Sequence, residues 1–526
     1  MPKKSNQQTD SGVASSLSEL GLKIVRYIRA GYAGLYLVSP EEQRVEAEMK
    51  SVIDHINSTQ KESEKFQLCY WSVVDGIVNT HTKQVREAND PLELLQAISE
   101  EKERTVFLLK DYHLFLEEPN PIALRKLKDV LFEAKTKQKP VILAGCRLVL
   151  PPELERELTV IEFSLPGKEV LRRVLHGVME SAGLKSMEAE QEDKVVDAAS
   201  GLTTMEAENA FALSFVQARA IEPSVVSREK AQAVKKNGLL EIVETSESLD
   251  SIGGLDCLKD WLLQRKGAFS KRAAEFGLPS PKGVLILGIP GTGKSLTAKA
   301  TAAVFGIPLL KLDVGRIFGG LVGQSESNFR SVMQTAEAIA PCVLWLDEIE
   351  KGFSGAKSSG STDGGTSARV LGSFLNWMQE KKSAVFVVAT ANDVSQLPPE
   401  MLRKGRFDDL WFVDLPSQSE REKIWTIQIA KYRRNPKDFD CVQLARATEG
   451  FTGSEIENAF VDAMYLAFAG GNEPTDLTIA QAITECIPLS KLMAEQISGI
   501  RNWTRGRARV ATSPEESERK VRKIAA

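Results

Sequence analysis

Eight consecutive residues, Gly288-Ile289-Pro290-Gly291-Thr292-Gly293-Lys294-Ser295, fit the pattern G-x-x-x-x-G-K-[ST]. Glycines there let backbone N–H groups turn inward around phosphate oxygens, and a helix N-terminus behind them adds partial positive charge. The Lys294 ammonium can reach β- and γ-phosphates, and the Ser295 hydroxyl can hold Mg²⁺. By chance roughly 0.02 such matches are expected in a chain of this length. Downstream, Cys342-Val343-Leu344-Trp345-Leu346-Asp347-Glu348 is an apolar run that ends in two carboxylates. Asp347 is placed to share Mg²⁺ with Ser295, directly or through water, and Glu348 to polarise an attacking water. Alone, that segment reads as a strand closed by a solvated acidic turn. Asn392 follows the apolar run Val385–Thr390. Its neutral amide can orient water or touch a γ-phosphate, although an asparagine there also suits a plain turn. Arg403-Lys404-Gly405-Arg406-Phe407-Asp408 is either a phosphate-matching basic element or a solvated surface cluster.

These groups need a parallel sheet that delivers them to one edge. Gly283–Leu287 has the continuous apolar character of a buried strand, and Leu296–Phe305 reads as the helix behind the glycine turn. In open α/β sheets ligands sit at the carboxyl ends of strands, which places Asp347 and Glu348 beside the loop. Upstream, Gly34–Val38, Leu68–Val74, Thr105–Leu109 and Pro140–Gly145 are strand candidates, with a helix expected at Glu41–His55. The first half thus also reads as α/β with a mostly parallel sheet.

The chain repeats itself. Leu150-Pro151-Pro152-Glu153-Leu154 echoes Leu397-Pro398-Pro399-Glu400-Met401, each after a strand. Gly201-Leu202-Thr203-Thr204 and the residues to Phe211 echo Gly450-Phe451-Thr452-Gly453 and the residues to Phe460. Two ordered echoes at nearly equal offset indicate a duplicated module. The first copy lacks the chemistry. Ser39-Pro40-Glu41-Glu42-Gln43 follows Val38 where a glycine cradle would stand, and Lys110-Asp111 matches Asp347-Glu348. A lysine donates hydrogen bonds only and cannot hold Mg²⁺.

Hydrophobic content of 42% and charged content of 26% are ordinary for a globular protein. A net charge of −4 argues against a general nucleic-acid-binding surface. The six cysteines include no C-x-x-C pair, which fits neither a zinc site nor a disulfide framework and indicates a reducing compartment. No apolar run is long enough to span a bilayer, and the polar N-terminus lacks a secretory core, so a bacterial cytosol or plastid stroma is expected.

From about residue 245 to 485 the chain resembles the AAA ATPases, in particular the group with proteasomal ATPases, membrane-anchored AAA proteases and microtubule-severing enzymes. The resemblance makes Gly288–Ser295 the Walker A loop, which implies ATP and Mg²⁺, with Leu296 in contact with nucleotide. It makes Asp347-Glu348 the Walker B pair and Asn392 sensor 1. Arg403 and Arg406 match the paired arginine fingers, which would reach a neighbouring subunit's site and imply a homo-oligomeric ring, usually a hexamer. Ile252-Gly253 resembles the adenine-contacting turn, and Gly453-Ser454 the turn that packs near adenine and ribose, with Ser454 in place of the usual alanine. Leu321 stands where threading members carry a pore-loop aromatic, and a second pore loop would fall in 352–365. The whole chain is similar to an AAA protein family of cyanobacteria and plastids with a degenerate N-terminal half.

The expected organisation is a disordered tail at 1–17, a degenerate module at 18–222, a helical connector at 223–245, an active α/β domain at 246–430, a small helical domain at 431–500, and a charged tail at 501–526. The fold class is α/β, with two tandem P-loop-type parallel-sheet modules and a C-terminal helical lid. Three functions remain open. One is an ATPase that remodels a protein partner held by the N-terminal half or a central pore. Another is a nucleotide-gated scaffold. The third is a nucleic-acid motor or loader, resting on the basic Arg501–Arg509 patch, where a solvated tail or ring contact is preferred.

Overall fold

The computed structural model describes residues 17–102, 104–184, 186–236, 238–244, 247–318, 324–353, 366–403 and 405–513. The tail at 1–16, Leu321 with its pore loop, most of the second pore loop, Lys404 and residues 514–526 lie outside the described residues. The chain divides into two compact units, Met1–Pro166 with Thr203–Met205, and Gly167–Leu202 with Glu206–Ala526.

The first unit carries a sheet of β1 (Gly34–Val38), β2 (Gln67–Ser72), β3 (Gly76–Asn79), β4 (Val85–Arg86), β5 (Thr105–Lys110), β6 (Val141–Gly145) and β7 (Leu158–Glu162). Its order is β4-β3-β2-β5-β6-β1-β7, parallel except where β3 meets β2 and β4. The second carries β8 (Leu240–Val243), β9 (Gly283–Gly288), β10 (Leu309–Leu312), β11 (Cys342–Leu346), β12 (Val385–Ala391), β13 (Asp409–Val413) and β14 (Arg509–Val510), in the order β14-β13-β9-β12-β11-β10-β8. Five parallel strands follow the same order in both sheets, β2-β5-β6-β1-β7 against β10-β11-β12-β9-β13.

Register makes the correspondence residue by residue. Val141 pairs with Gly34 and Phe107, and Val387 pairs with Gly283 and Leu344. Counting outward, Lys110 and Asp111 stand where Asp347 and Glu348 stand, His113 where Glu350 stands, and Cys146 where Asn392 stands. Both Asp111 (φ 53°) and Glu348 (φ 49°) adopt left-handed backbone, uncommon outside glycine. The duplicated design read from the echoes is thus visible in topology, and each proline echo becomes a 3₁₀ turn (Pro152–Leu154 and Pro399–Leu402).

Both faces of each sheet are covered, which is why its strands read as continuous apolar runs. In the second sheet Leu285, Leu287, Leu344, Val387 and Ala389 face one core, while Val284, Ile286, Val343, Phe386 and Val388 face the other. Two helical clusters complete the second unit. One gathers Leu171, Leu175, Val196, Phe211 and Val226. The other gathers Trp425, Ile429, Phe451, Ile456 and Phe460 and forms the C-terminal lid.

Residues 223–245, expected as a connector, hold the helix Pro223–Lys236 and the edge strand β8. Val226 enters the first helical cluster and Val234 the core of the second sheet, so these apolar positions are absorbed by packing. The Arg501–Arg509 patch likewise differs from a solvated tail. β14 pairs with β13, and Ala511 is fully buried beside Trp261 and Trp411. Arg501 makes a forked bond to Asp414, and Arg509 pairs with Asp409 at 2.9 Å while stacking over Trp411.

Candidate functional site

The loop after β9 is built by its glycines. Gly291 (φ +78°) and Gly293 (φ +93°) take backbone that side chains resist, and Gly293 opens the helix Lys294–Phe305. A Cβ on Gly291 would also lie 2.9 Å from the Thr452 hydroxyl of the lid, whose Ser454 N–H donates to the Gly291 carbonyl at 3.1 Å. Thr452 in turn caps the helix Gly453–Ala469 in a reciprocal arrangement with Glu455, which fixes where Gly453 and Ser454 stand.

Lys294 is buried, and its ammonium donates to the carbonyls of Gly288 (2.9 Å) and Ile289 (2.7 Å). Burial pushes its pKa down to about 8, against the opposing pull of Glu350, Asp347 and Glu348. This cation is the first residue of the helix Lys294–Phe305, and the free N–H groups of a helix's first turn favour anions.

The carboxylates come from the end of β11. Asp347 Oδ1 accepts from the Ser295 hydroxyl at 3.3 Å and from the Thr390 hydroxyl at 2.7 Å. Thr390 Oγ1 also accepts from the Glu348 N–H at 3.0 Å, so one β12 residue sets both acids. The Asn392 side-chain amide donates to Glu348 Oε1 at 3.0 Å. Lys351 pairs with the same carboxylate, and this hydrogen bond is the largest cause holding the Glu348 pKa below the ordinary range. Glu350 is buried, accepts from the Asn392 N–H at 2.9 Å, and has a second oxygen without a hydrogen-bond partner among the described residues. Burial raises its pKa.

All this opens into a cleft of about 810 Å³ between the large domain and the lid. Its lining includes Ile252, Gly253, Pro290, Gly291, Thr292, Gly293, Lys294, Ser295, Leu296, Asp347, Glu348, Asn392, Gly453 and Ser454, so the structure gathers these sequence-expected residues in one place. Gly288 and Ile289 contribute the carbonyls that receive Lys294. A Cβ on Gly253 would lie 2.5 Å from Ile424, so only glycine lets that turn meet the lid helix Gln418–Lys431. Arg403 and Arg406 do not line the cleft of their own chain; Arg403 is exposed, and the Arg406 guanidinium donates to the Glu400 carbonyl.

Sequence reasoning missed Thr390, Glu350 and the lid wall of Ile424, Ile427 and Gln428. Thr390 was signalled by a lone hydroxyl in an otherwise apolar strand. The lid wall was signalled by its i, i+3, i+4 spacing. The donor set fits a hard divalent cation: Ser295 and Asp347 offer a hydroxyl and a carboxylate 3.3 Å apart, the oxygen ligands Mg²⁺ prefers. The walls could hold a flat base between Ile252 and the lid.

The sequence matches the family described as ATPase family associated with various cellular activities (AAA) over residues 284–415. It also matches the SpoVK-like AAA ATPase N-terminal domain over 21–163 and second domain over 169–237. It is 39% identical to the "Uncharacterized AAA domain-containing protein ycf46" of Trieres chinensis, covering 93% of this chain and 98% of that protein. The protein of that name from Pyropia yezoensis is 38% identical over 92% of this chain and 98% of its own length. The "ATP-dependent zinc metalloprotease FtsH 3" of Synechocystis is 34% identical over 37% of this chain and 32% of its own length. Among the described residues no helix is long and apolar enough to cross a membrane.

Proposed function

This chain belongs to the AAA ATPase family, among the AAA domain-containing ycf46 proteins, and from that premise we propose that the second module binds Mg-ATP in the cleft and hydrolyses it to drive rearrangement of a protein partner. The observation that carries the reading is the chain Ser295–Asp347–Thr390–Glu348–Asn392, five residues from three elements linked by hydrogen bonds of 2.7 to 3.3 Å. Lys294 would release its two loop carbonyls and turn to the β/γ-phosphates. Ser295 and Asp347 would hold Mg²⁺, which neutralises charge between the phosphates. Glu348 would take a proton from a water aligned on the γ-phosphate, with its carboxylate oriented by Asn392.

Arg403 and Arg406 would act on the site of a neighbouring copy, since neither lines the cleft of its own chain. A ring, by family habit a hexamer, supplies that neighbour. The first module, with Lys110 tied to Glu42 and Glu46 in place of a metal site, would present a surface to the partner. The six cysteines form no disulfide among the described residues, which suits the bacterial cytosol or plastid stroma.

The test is ATP turnover by purified protein against Glu348→Gln, with nucleotide binding followed in parallel. Retained binding with turnover reduced by about a hundredfold or more supports the reading, and equal turnover by both proteins discards it. A second reading, a nucleotide-gated scaffold with slow turnover, is favoured by the Lys351–Glu348 pair, which engages the general base.

A further inference from the structure

The first module keeps a polar constellation of its own at the sheet edge equivalent to the one that carries the second module's proposed site. Cys146 stands just past β6 at the position of Asn392, and His113 past β5 at the position of Glu350. In the second module Glu350 and Asn392 touch through a hydrogen bond; in the first, His113 Nε2 lies 3.7 Å from Cys146 Sγ. His113 is 2% exposed, and its Nδ1 has no hydrogen-bond partner among the described residues. The Asp111 carboxylate lies 3.8 Å from that nitrogen, on the left-handed residue equivalent to Glu348. Gly145 makes the arrangement possible, because a Cβ there would lie 2.5 Å from His113 Nδ1. Cys146 itself is exposed, whereas the other five cysteines are buried or half-buried.

A buried imidazole nitrogen 3.7 Å from an accessible thiol sulfur is placed to accept the thiol proton as the sulfur attacks. We propose that Cys146 is a reactive thiol activated by His113, with Asp111 stabilising the imidazolium, and that it exchanges with small-molecule disulfides. The thiol proton passes to His113 Nε2. The Cys146 sulfur attacks one sulfur of the disulfide, the S–S bond of the reagent breaks, and a new S–S bond joins Cys146 to half of it. The departing thiolate takes the proton from His113, so atoms and electrons balance with no other reactant. This gives the nucleotide-free module a covalent input separate from ATP.

The test treats reduced full-length protein briefly with oxidised glutathione and reads occupancy of each cysteine by peptide mass spectrometry. Cys146 is expected to form the mixed disulfide first, and His113→Gln to slow it about tenfold or more. Because His113 is buried, Asp111→Asn provides the second variant. Asp111 is exposed, and asparagine tolerates its left-handed backbone, so folding is preserved while the facing charge is lost. Slowing of Cys146 in both folded variants supports the proposal. A wild-type rate in either, or a Cys146 no faster than Cys257, Cys441 and Cys486, overturns it.

Discussion

Asn392 donates its side-chain amide to Glu348 Oε1 at 3.0 Å, while the Asn392 backbone N–H donates to Glu350. One residue just past β12 therefore holds Glu348, the proposed general base, through its side chain and a buried acid through its main chain. Replacing Asn392 with Ala removes only the first of these bonds. Turnover is expected to fall by about 10²-fold, the scale of one lost orienting or polar catalytic contact, with nucleotide affinity little changed. Steady-state kinetics beside equilibrium binding separates the two; an equal loss of affinity would place Asn392 in ground-state binding.

Lys351 engages the same carboxylate from the exposed face of its own turn. If that pair restrains the base, Lys351→Ala frees it, and kcat is expected to rise several-fold. The pair is exposed to solvent, so its loss costs little stability. A fall in kcat would mean that Lys351 positions Glu348 productively, which removes the observation behind the scaffold reading.

Lys294 shows how far the site departs from what stability alone would choose. Its folded pKa, about 8, lies below the ordinary lysine value, so between pH 8 and 10.5 the unfolded chain binds more protons than the folded one. The sign follows: stability of the nucleotide-free protein climbs with pH through that window. The span corresponds to about 3 kcal/mol at 1.36 kcal/mol per unit. Lys230 and Lys381, also pushed down to about 8 by burial, act in the same direction, so the informative quantity is a difference. Lys294→Met is expected to raise Tm at pH 7, lose ATP binding, and show a shallower climb. Identical pH profiles for both proteins would refute the buried-charge account.

Much of this site was legible in the sequence because it is local. Gly288–Ser295 and Asp347-Glu348 are contiguous, and their residue types state their chemistry. What was not legible depends on strand register. Thr390 matters only because β12 lies beside β11, and Glu350 only because Asn392 follows Thr390 by two residues. His113 and Cys146 are 33 residues apart and gain meaning only when one sheet's register is laid on the other's. The basic tail misled for the opposite reason: charge composition showed arginines but not the Asp409 and Asp414 carboxylates that hold two of them.

Arg403 and Arg406 lie off their own cleft, so the proposed assembly makes a complementation test possible. Arg406→Ala alone and Glu348→Gln alone should each be nearly inactive. Mixed before assembly, some sites pair an intact Glu348 with a neighbour's intact Arg406, and ATPase activity should return in part. Native mass spectrometry on the mixture reports co-assembly independently. Co-assembled protein with no recovered activity would show that Arg406 does not act across the interface.

The last strand offers a stability test away from the chemistry. Ala511 is fully buried beside Trp261 and Trp411, and its N–H donates to the Phe412 carbonyl at 2.9 Å. Beyond it, Thr512 donates to the Glu420 carboxylate at 2.7 Å, and the same oxygen accepts from the Leu255 N–H. Glu420 thus joins the segment after β14 to the turn at Ile252–Leu255, which lines one end of the cleft. Ala511→Asp would bury an unpaired carboxylate, and a cost of at least about 2 kcal/mol is expected. The Ile252–Gly253 turn should loosen with it, so nucleotide affinity should fall along with Tm. Thr512→Val keeps the shape, loses only the bond to Glu420, and should cost about 1 kcal/mol. Thermal unfolding with and without ATP measures both effects, and an unchanged Tm for Ala511→Asp would mean that the segment is not packed in solution.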